Sequence, residues 1–189
     1  MADISEMIEK PLEEAANNPI NSRVALFVAI AATFMALCNV KDGNIVQAMD
    51  QAQAHSLNAW SYFEAKSTKQ NITENALETL RVLNQNGKDS LIKVYEERVL
   101  RYEKEKTEIK AQAEGYDKQY DDLNLFDDQF DMTEALLTIA IAMLGITSLT
   151  QKKWLLWFSS GVALLGLILG AAAFLKISMH SELVSRILG

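Results

Sequence analysis

One cysteine, two histidines and two prolines are the scarcest residues in this 189-residue chain, and each shortage closes off some chemistry. A lone thiol, Cys38, makes no internal disulfide and builds no thiolate metal site, so it reads as a buried structural residue. His55 and His180 stand too far apart to form an evident pair, and His55 reads as a packing residue opposite Lys118. The chain has no H-E-x-x-H, no Walker loop, no G-x-G-x-x-G and no nucleophile elbow. No D-x-D-x-D-G calcium loop occurs either. No enzyme, cofactor or metal site is therefore expected. Basic residues number 18 against 25 acidic ones, with no basic stripe, which argues against nucleic acid as a partner. The prolines, Pro11 and Pro19, both precede residue 20, and the rest of the chain carries no proline to interrupt a helix.

What the chain does have is apolar residues gathered near both ends rather than spread as in a globular core. Residues 24–40 form an uncharged run, the short end of what crosses a hydrocarbon layer about 30 Å thick. Residues 132–150, with only Glu134, and residues 154–175 are longer. Three transmembrane helices are expected. The first reads as a retained anchor, since an acidic segment precedes it and no small-x-small cleavage pattern follows. The lipid bilayer is thus the first expected partner. Residues 1–23 form a polar N-terminal segment, and residues 176–189 an amphipathic tail.

Residues 41–131 carry a helical signal of another kind. Ile92, Tyr95, Val99, Tyr102, Lys106, Ile109, Ala113, Tyr116, Tyr120, Leu123 and Phe126 recur at alternating steps of three and four, broken only at the last step. That is a heptad seam. A weaker seam precedes it through Ile45, Ala48, Ala52, His55, Ala59, Tyr62, Ala65, Lys69, Ile72, Ala76, Leu80 and Leu83. The Asn86-Gly87 pair between them suits a reversal, placing a turn near 84–88. Mirroring about that pair sets residue i opposite residue 173 − i, so Asp42 faces Asp131. The fold class expected is all-α: three transmembrane helices with a long antiparallel coiled-coil-like hairpin between the first and second, each arm about 65 Å long.

In this reading Tyr62 lies on the seam, while Trp60 and Phe63, three residues apart, occupy a second face that needs another partner. The economical partner is a second copy of the hairpin, making Trp60 and Phe63 candidate oligomer-interface residues. Within the apolar runs, Ala25, Ala29, Ala32 and Ala36 form one small-residue stripe, and Ser159, Ala163, Gly166, Gly170 and Ala173 another. Such stripes let helix backbones approach closely in lipid, and Gly166 and Gly170 join the candidate interface.

The residues AWSYFEAKSTKQN after the first apolar run, with YDDLNLFDDQFDMTEALLTIAIAMLGITSLTQKKWLLW leading into the third, carry a family likeness. From about Val24 to Leu175 the chain resembles a family of uncharacterised bacterial three-span membrane proteins known only as a domain of unknown function. The resemblance implies three spans with a helical insert between the first two, and no activity.

Charge gives the remaining expectations. Lys41 to Trp60 with Asp117 to Glu134 carries nine acids against Lys41 and Lys118, all beside the bilayer. Asp117, Asp121, Asp128 and Asp131 fall on one stripe with Asn124, a candidate acidic vestibule. Lys152 and Lys153 in the tight turn between the last two runs place that turn in the cytoplasm. The chain is then expected in a bacterial inner membrane with its N-terminus cytoplasmic and the hairpin periplasmic. Two functions are consistent with these features. One is a self-associating membrane scaffold whose hairpins pack laterally and present their tip to an unknown protein partner; the other is an oligomeric cation pore fed by the acidic vestibule.

Overall fold

The computed structural model describes residues 18–83 and 89–177. The polar segment up to residue 17, the hairpin tip at 84–88 and the tail beyond residue 177 lie outside the described residues. Among the described residues there are three helices: α1 (Pro19–Val82), α2 (Asp89–Thr150) and α3 (Lys153–Phe174). The fold is all-α, and each helix contains a stretch long and apolar enough to cross a membrane.

Local signals account for the ends of these helices. Pro19 occupies the first helical position of α1, where its missing N–H costs nothing and its fixed φ is already helical. Asn18 caps that end, its side-chain oxygen accepting from the Ile20 N–H at 2.9 Å. With no later proline, α1 runs for 64 residues and α2 for 62. Between α2 and α3 only Gln151 and Lys152 are non-helical, and Gln151 takes a left-handed conformation with φ 55°. The end of α3 is a Schellman turn, in which the Lys176 N–H reaches Ala173 O (3.0 Å) and the Ile177 N–H reaches Ala172 O (2.9 Å).

Lys176 holds φ 57° at the position of that turn which glycine favours. An L-residue there costs about 1–2 kcal/mol, and glycine returns part of this as unfolded-state entropy. Lys176→Gly should therefore stabilise the protein by about 0.5–1 kcal/mol, read as a higher unfolding midpoint in a denaturing-detergent titration.

Two compact units divide the chain: one comprises the residues up to Val46 together with those from Asn124 onward, the other Gln47–Leu123. In the Gln47–Leu123 unit, α1 and α2 run antiparallel. Their cross-helix pairs, Ser56 with Asp117, Gln70 with Glu103 and Arg81 with Glu96, follow the mirror relation to within a turn. The α2 seam from Ile92 to Leu123 is buried or half-buried at every predicted position. On α1 the stepping differs from expectation. The seam runs Met49, Ala52, Ser56, Ala59, Phe63, Lys66, Gln70, Thr73 and Leu77, so Ala52 and Ala59 are shared with the predicted seam and the other positions, including every one beyond Ala59, are shifted by one residue. Tyr62, expected on the seam, is 54% exposed, and Phe63 takes the inner place.

In the other unit, the N-terminal part of α1, the C-terminal part of α2 and α3 form a three-helix bundle. Val24, Leu144 and Leu156, one from each helix, form a buried cluster with Ile20 and Val28 packed against it. At the opposite end three aromatics meet edge to face: Phe174 lies 5.3 Å from Phe130 and 6.0 Å from Phe34, between ring centroids. The Ser159, Ala163, Gly166, Gly170 and Ala173 stripe is buried throughout, as its small residues suggested. The Ala25, Ala29, Ala32 and Ala36 stripe is exposed, because α1 turns Val24, Ala31 and Cys38 inward instead.

Candidate functional site

The aromatic segment of α1 is satisfied largely within its own hairpin. Trp60 is half-buried and its Nε1–H donates to Asp117 Oδ2 at 3.1 Å, while the buried Ser56 hydroxyl donates to Asp117 Oδ1. These two donors, Ser56 foremost, hold the Asp117 carboxyl below the usual carboxylate range. The Trp60 ring meets Phe63 edge to face at 5.7 Å, and Lys106 lies 5.4 Å from the Phe63 centroid. A shallow groove of about 340 Å³ opens beside them, lined by Gln53, Ser56, Leu57, Trp60, Asp117, Tyr120 and Asp121. His55, expected on the seam opposite Lys118, is exposed beside it and stacks on Tyr116 at 5.1 Å.

Further along the hairpin the seam turns polar, and its donors have cross-helix or backbone partners, whereas Gln70 Oε1 is buried without one. Lys66 Nζ donates to Glu105 at 2.5 Å, raising the lysine pKa and lowering that of the glutamate. Gln70 Nε2 donates to Glu74 and Glu103 at 2.8 Å each, and the Thr73 hydroxyl returns to Lys69 O at 2.7 Å. Buried polar groups are tolerated when paired in this way, and they help fix one register.

The bundle unit gathers carboxylates just beyond the apolar runs of α1 and α2. Asp42 on α1 faces Asp127 on α2, near enough for the two carboxyls to share a proton, with Asp131 and Glu134 close enough to add repulsion. Burial first, then the Asp127 charge, pushes the Asp42 pKa up to about 6. Burial also raises Asp127, joined by the Asp131 and Asp128 charges. Asp42 Oδ1 is buried without a hydrogen-bond partner. Asn39, its amide turned so that nitrogen faces the oxygens, donates to Met35 O at 3.1 Å and Glu134 Oε2 at 3.3 Å.

The four acids expected on one stripe take different places. Asp117 is occupied by Ser56 and Trp60; Asp121 is exposed on the groove; Asp128 is half-buried and accepts from Asn124 at 3.4 Å; Asp131 is exposed beside the Asp42 and Asp127 pair. Sequence reasoning missed the pairing of Asp42 with Asp127. A strict four-residue step from Leu123 reaches Asp127 rather than Phe126 and so places Asp127 on the seam, but the mirror relation sets it opposite Val46, one turn from Asp42. Among the described residues no group of three or more His, Cys, Asp or Glu is arranged to hold a metal ion.

The two glycines named as interface candidates lie at contacts inside the chain. A Cβ on Gly166 would stand 3.0 Å from Leu137 Cγ and Cδ2, and one on Gly170 would stand 2.6 Å from Phe34 Cε1 and 2.8 Å from Thr133 Cγ2. Beside them Gln129 Nε2 donates to Leu169 O (3.0 Å) and Ile177 O (3.3 Å), fastening α2 to the end of α3.

Taken together, these features define an all-α protein with three membrane-length apolar helices and a long helical insert between the first two. The chain belongs to the family described as a domain of unknown function, DUF4337, whose model matches residues 20–176. No curated protein and no solved structure matches it.

Proposed function

We propose that this is a homo-oligomeric membrane scaffold or interaction protein of a bacterial inner membrane, not an enzyme, whose three apolar helices span the bilayer. The carrying observation is the Ala25, Ala29, Ala32 and Ala36 stripe, which α1 leaves exposed at four-three-four spacing within its apolar run. In lipid, such a stripe allows close backbone approach by a neighbouring helix. The hairpin adds support: Leu57 (63% exposed), Ile72 (63%) and Leu100 (71%) sit off the seam, where a solvated helix pair would carry polar residues. Lateral packing of hairpins would cover them, with the outer edges of Trp60 and Phe63 at the margin. The lysines at 152 and 153 favour a cytoplasmic turn and N-terminus, with the hairpin on the periplasmic side.

Mass measurement in lipid nanodiscs tests the assembly. The native chain should appear as an oligomer, and Ala29→Trp with Ala32→Trp should reduce it to a monomer with unchanged helicity. A native monomer would remove the scaffold reading.

The carboxylates around Asp42 and Asp127 favour a second reading, a cation pathway with an acidic vestibule that includes Asp117, Asp121, Asp128 and Asp131. Planar-bilayer conductance separates the two: a cation current lost with Asp121→Asn, Asp128→Asn and Asp131→Asn together would favour the pathway, and no current in the native protein would exclude it.

A further inference from the structure

A groove of about 320 Å³ lies between α1 and α3 at the end of the bundle away from the carboxylates, lined by Arg23, Leu26, Phe27, Leu156, Trp157 and Ser160. Its wall is apolar apart from two groups. Arg23 has no carboxylate partner among the described residues, and the Ser160 Oγ is buried with no hydrogen-bond partner. The neighbouring Ser159 behaves differently, its hydroxyl donating to Leu155 O at 2.6 Å, the usual refuge of a serine in an apolar helix. The groove thus offers one cationic and one hydroxyl donor, both lacking an acceptor, beside surface suited to hydrocarbon.

Among the described residues, charge at this end is of one sign. Lys152 and Lys153 begin α3, and Asn21 ties the start of α1 to the same corner through Ser148 (3.0 Å) and Gln151 (2.7 Å). No aspartate or glutamate occurs in residues 18–41 or 135–177. Trp157 has the amphipathic ring that settles at the headgroup level of a bilayer.

We infer that this groove binds one anionic glycerophospholipid, its phosphate on the Arg23 guanidinium, its ester region at the Ser160 hydroxyl beside Leu156 and Trp157, and an acyl chain running on along Leu26 and Phe27. Arginine suits a phosphate because its planar donors engage two oxygens at once. The acceptors that Arg23 and Ser160 lack are the oxygens such a lipid carries, spaced along its headgroup and glycerol. The inference rests on the membrane-spanning part of the reading above and not on self-association.

The test is native mass spectrometry of the full chain in detergent, titrated with phosphatidylglycerol or with phosphatidylcholine of the same acyl chains. The native protein should bind phosphatidylglycerol about fivefold more tightly, the preference one basic residue near a membrane surface confers. Arg23→Gln should erase the preference, Arg23→Lys should keep part of it, Ser160→Ala should weaken both lipids, and Lys176→Gln at the far end should change nothing. Equal affinity for the two lipids in the native chain, or a preference that survives Arg23→Gln in a protein of native helicity, would overturn the inference. So would displacement of phosphatidylglycerol by millimolar inorganic phosphate, which would mark a free-anion site. A dimer broken by Trp157→Ala would assign the groove to a second copy and overturn it as well. Alkaline carbonate extraction keeps the two readings distinct: release from the membrane sinks both, whereas a carbonate-resistant protein without lipid preference sinks only this one.

Discussion

Gly170→Leu should undock α3 from the rest of its bundle, and Gly170→Ala should already cost about 1–3 kcal/mol. Even one added carbon would stand 2.6 Å from Phe34 Cε1 and 2.8 Å from Thr133 Cγ2. Overpacking a filled interior costs that much because the neighbours must leave their rotamers or the helices must separate. The Phe34 ring cannot simply swing away, since it is stacked edge to face on Phe174, which is packed in turn on Phe130. Trp154 and Trp157 lie on α3 and report the change directly. Their emission should shift in Gly170→Leu, and thermal unfolding in detergent should begin earlier in both variants. Gly145→Ala and Gly161→Ala are the controls, because a Cβ at either meets nothing within 4 Å. Those two should be neutral or slightly stabilising, as alanine favours helix over glycine by up to about 1 kcal/mol. If Gly170 instead served contact between copies, Gly170→Ala would lower the oligomer mass and leave tryptophan emission and the unfolding midpoint unchanged.

Much of this architecture is legible in the sequence, and the parts that are not have identifiable physical causes. The apolar runs and the α2 seam announce themselves, because tyrosines, isoleucines and valines recur there at heptad spacing among charged residues. The α1 seam is ambiguous because alanine is spread round the helix and because Ser56, Gln70 and Thr73 lie inside. Their burial depends on partners across the hairpin or in the backbone, such as Asp117, Glu103 and the Lys69 carbonyl, which a one-dimensional pattern does not display. Counting three-four from Ile45 gives Ala48 and His55, while counting four-three gives Met49 and Ser56, and both routes pass through Ala52. The same ambiguity put Tyr62 on the seam and Phe63 off it. In the apolar part of α1 every face is hydrophobic, so no periodic contrast distinguishes the inward Val24, Ala31 and Cys38 from the outward alanine stripe. The glycine stripe of α3 was readable as a close-contact surface, but its spacing serves a neighbour in the same chain as well as one in another.

Asp42→Asn should stabilise the protein at pH 8 and have little effect near pH 4. Asp42 faces Asp127, Asp131 and Glu134 from α2, while Lys41 and Cys38 are its neighbours on α1. Its carboxyl titrates near pH 6 in the folded protein, against about 4 in an unfolded chain. The folded state therefore holds a proton that the unfolded state releases between those values, and stability falls as pH rises through the window. Below pH 4 the carboxyl is protonated in both states and the penalty is absent; above pH 6 it is complete. A two-unit shift corresponds to about 3 kcal/mol at most, and solvent at this half-buried position reduces that to about 1–2 kcal/mol. An asparagine keeps the shape and the hydrogen bond toward Asp127 while removing the charge. Unfolding midpoints of the native and Asp42→Asn proteins at pH 4 and pH 8 check the sign, and a lower midpoint for the variant at pH 8 would refute it. Asp127→Asn should act in the same direction. Combining the two should gain less than the sum, because one shared proton relieves both members of the pair and either substitution alone removes most of their repulsion.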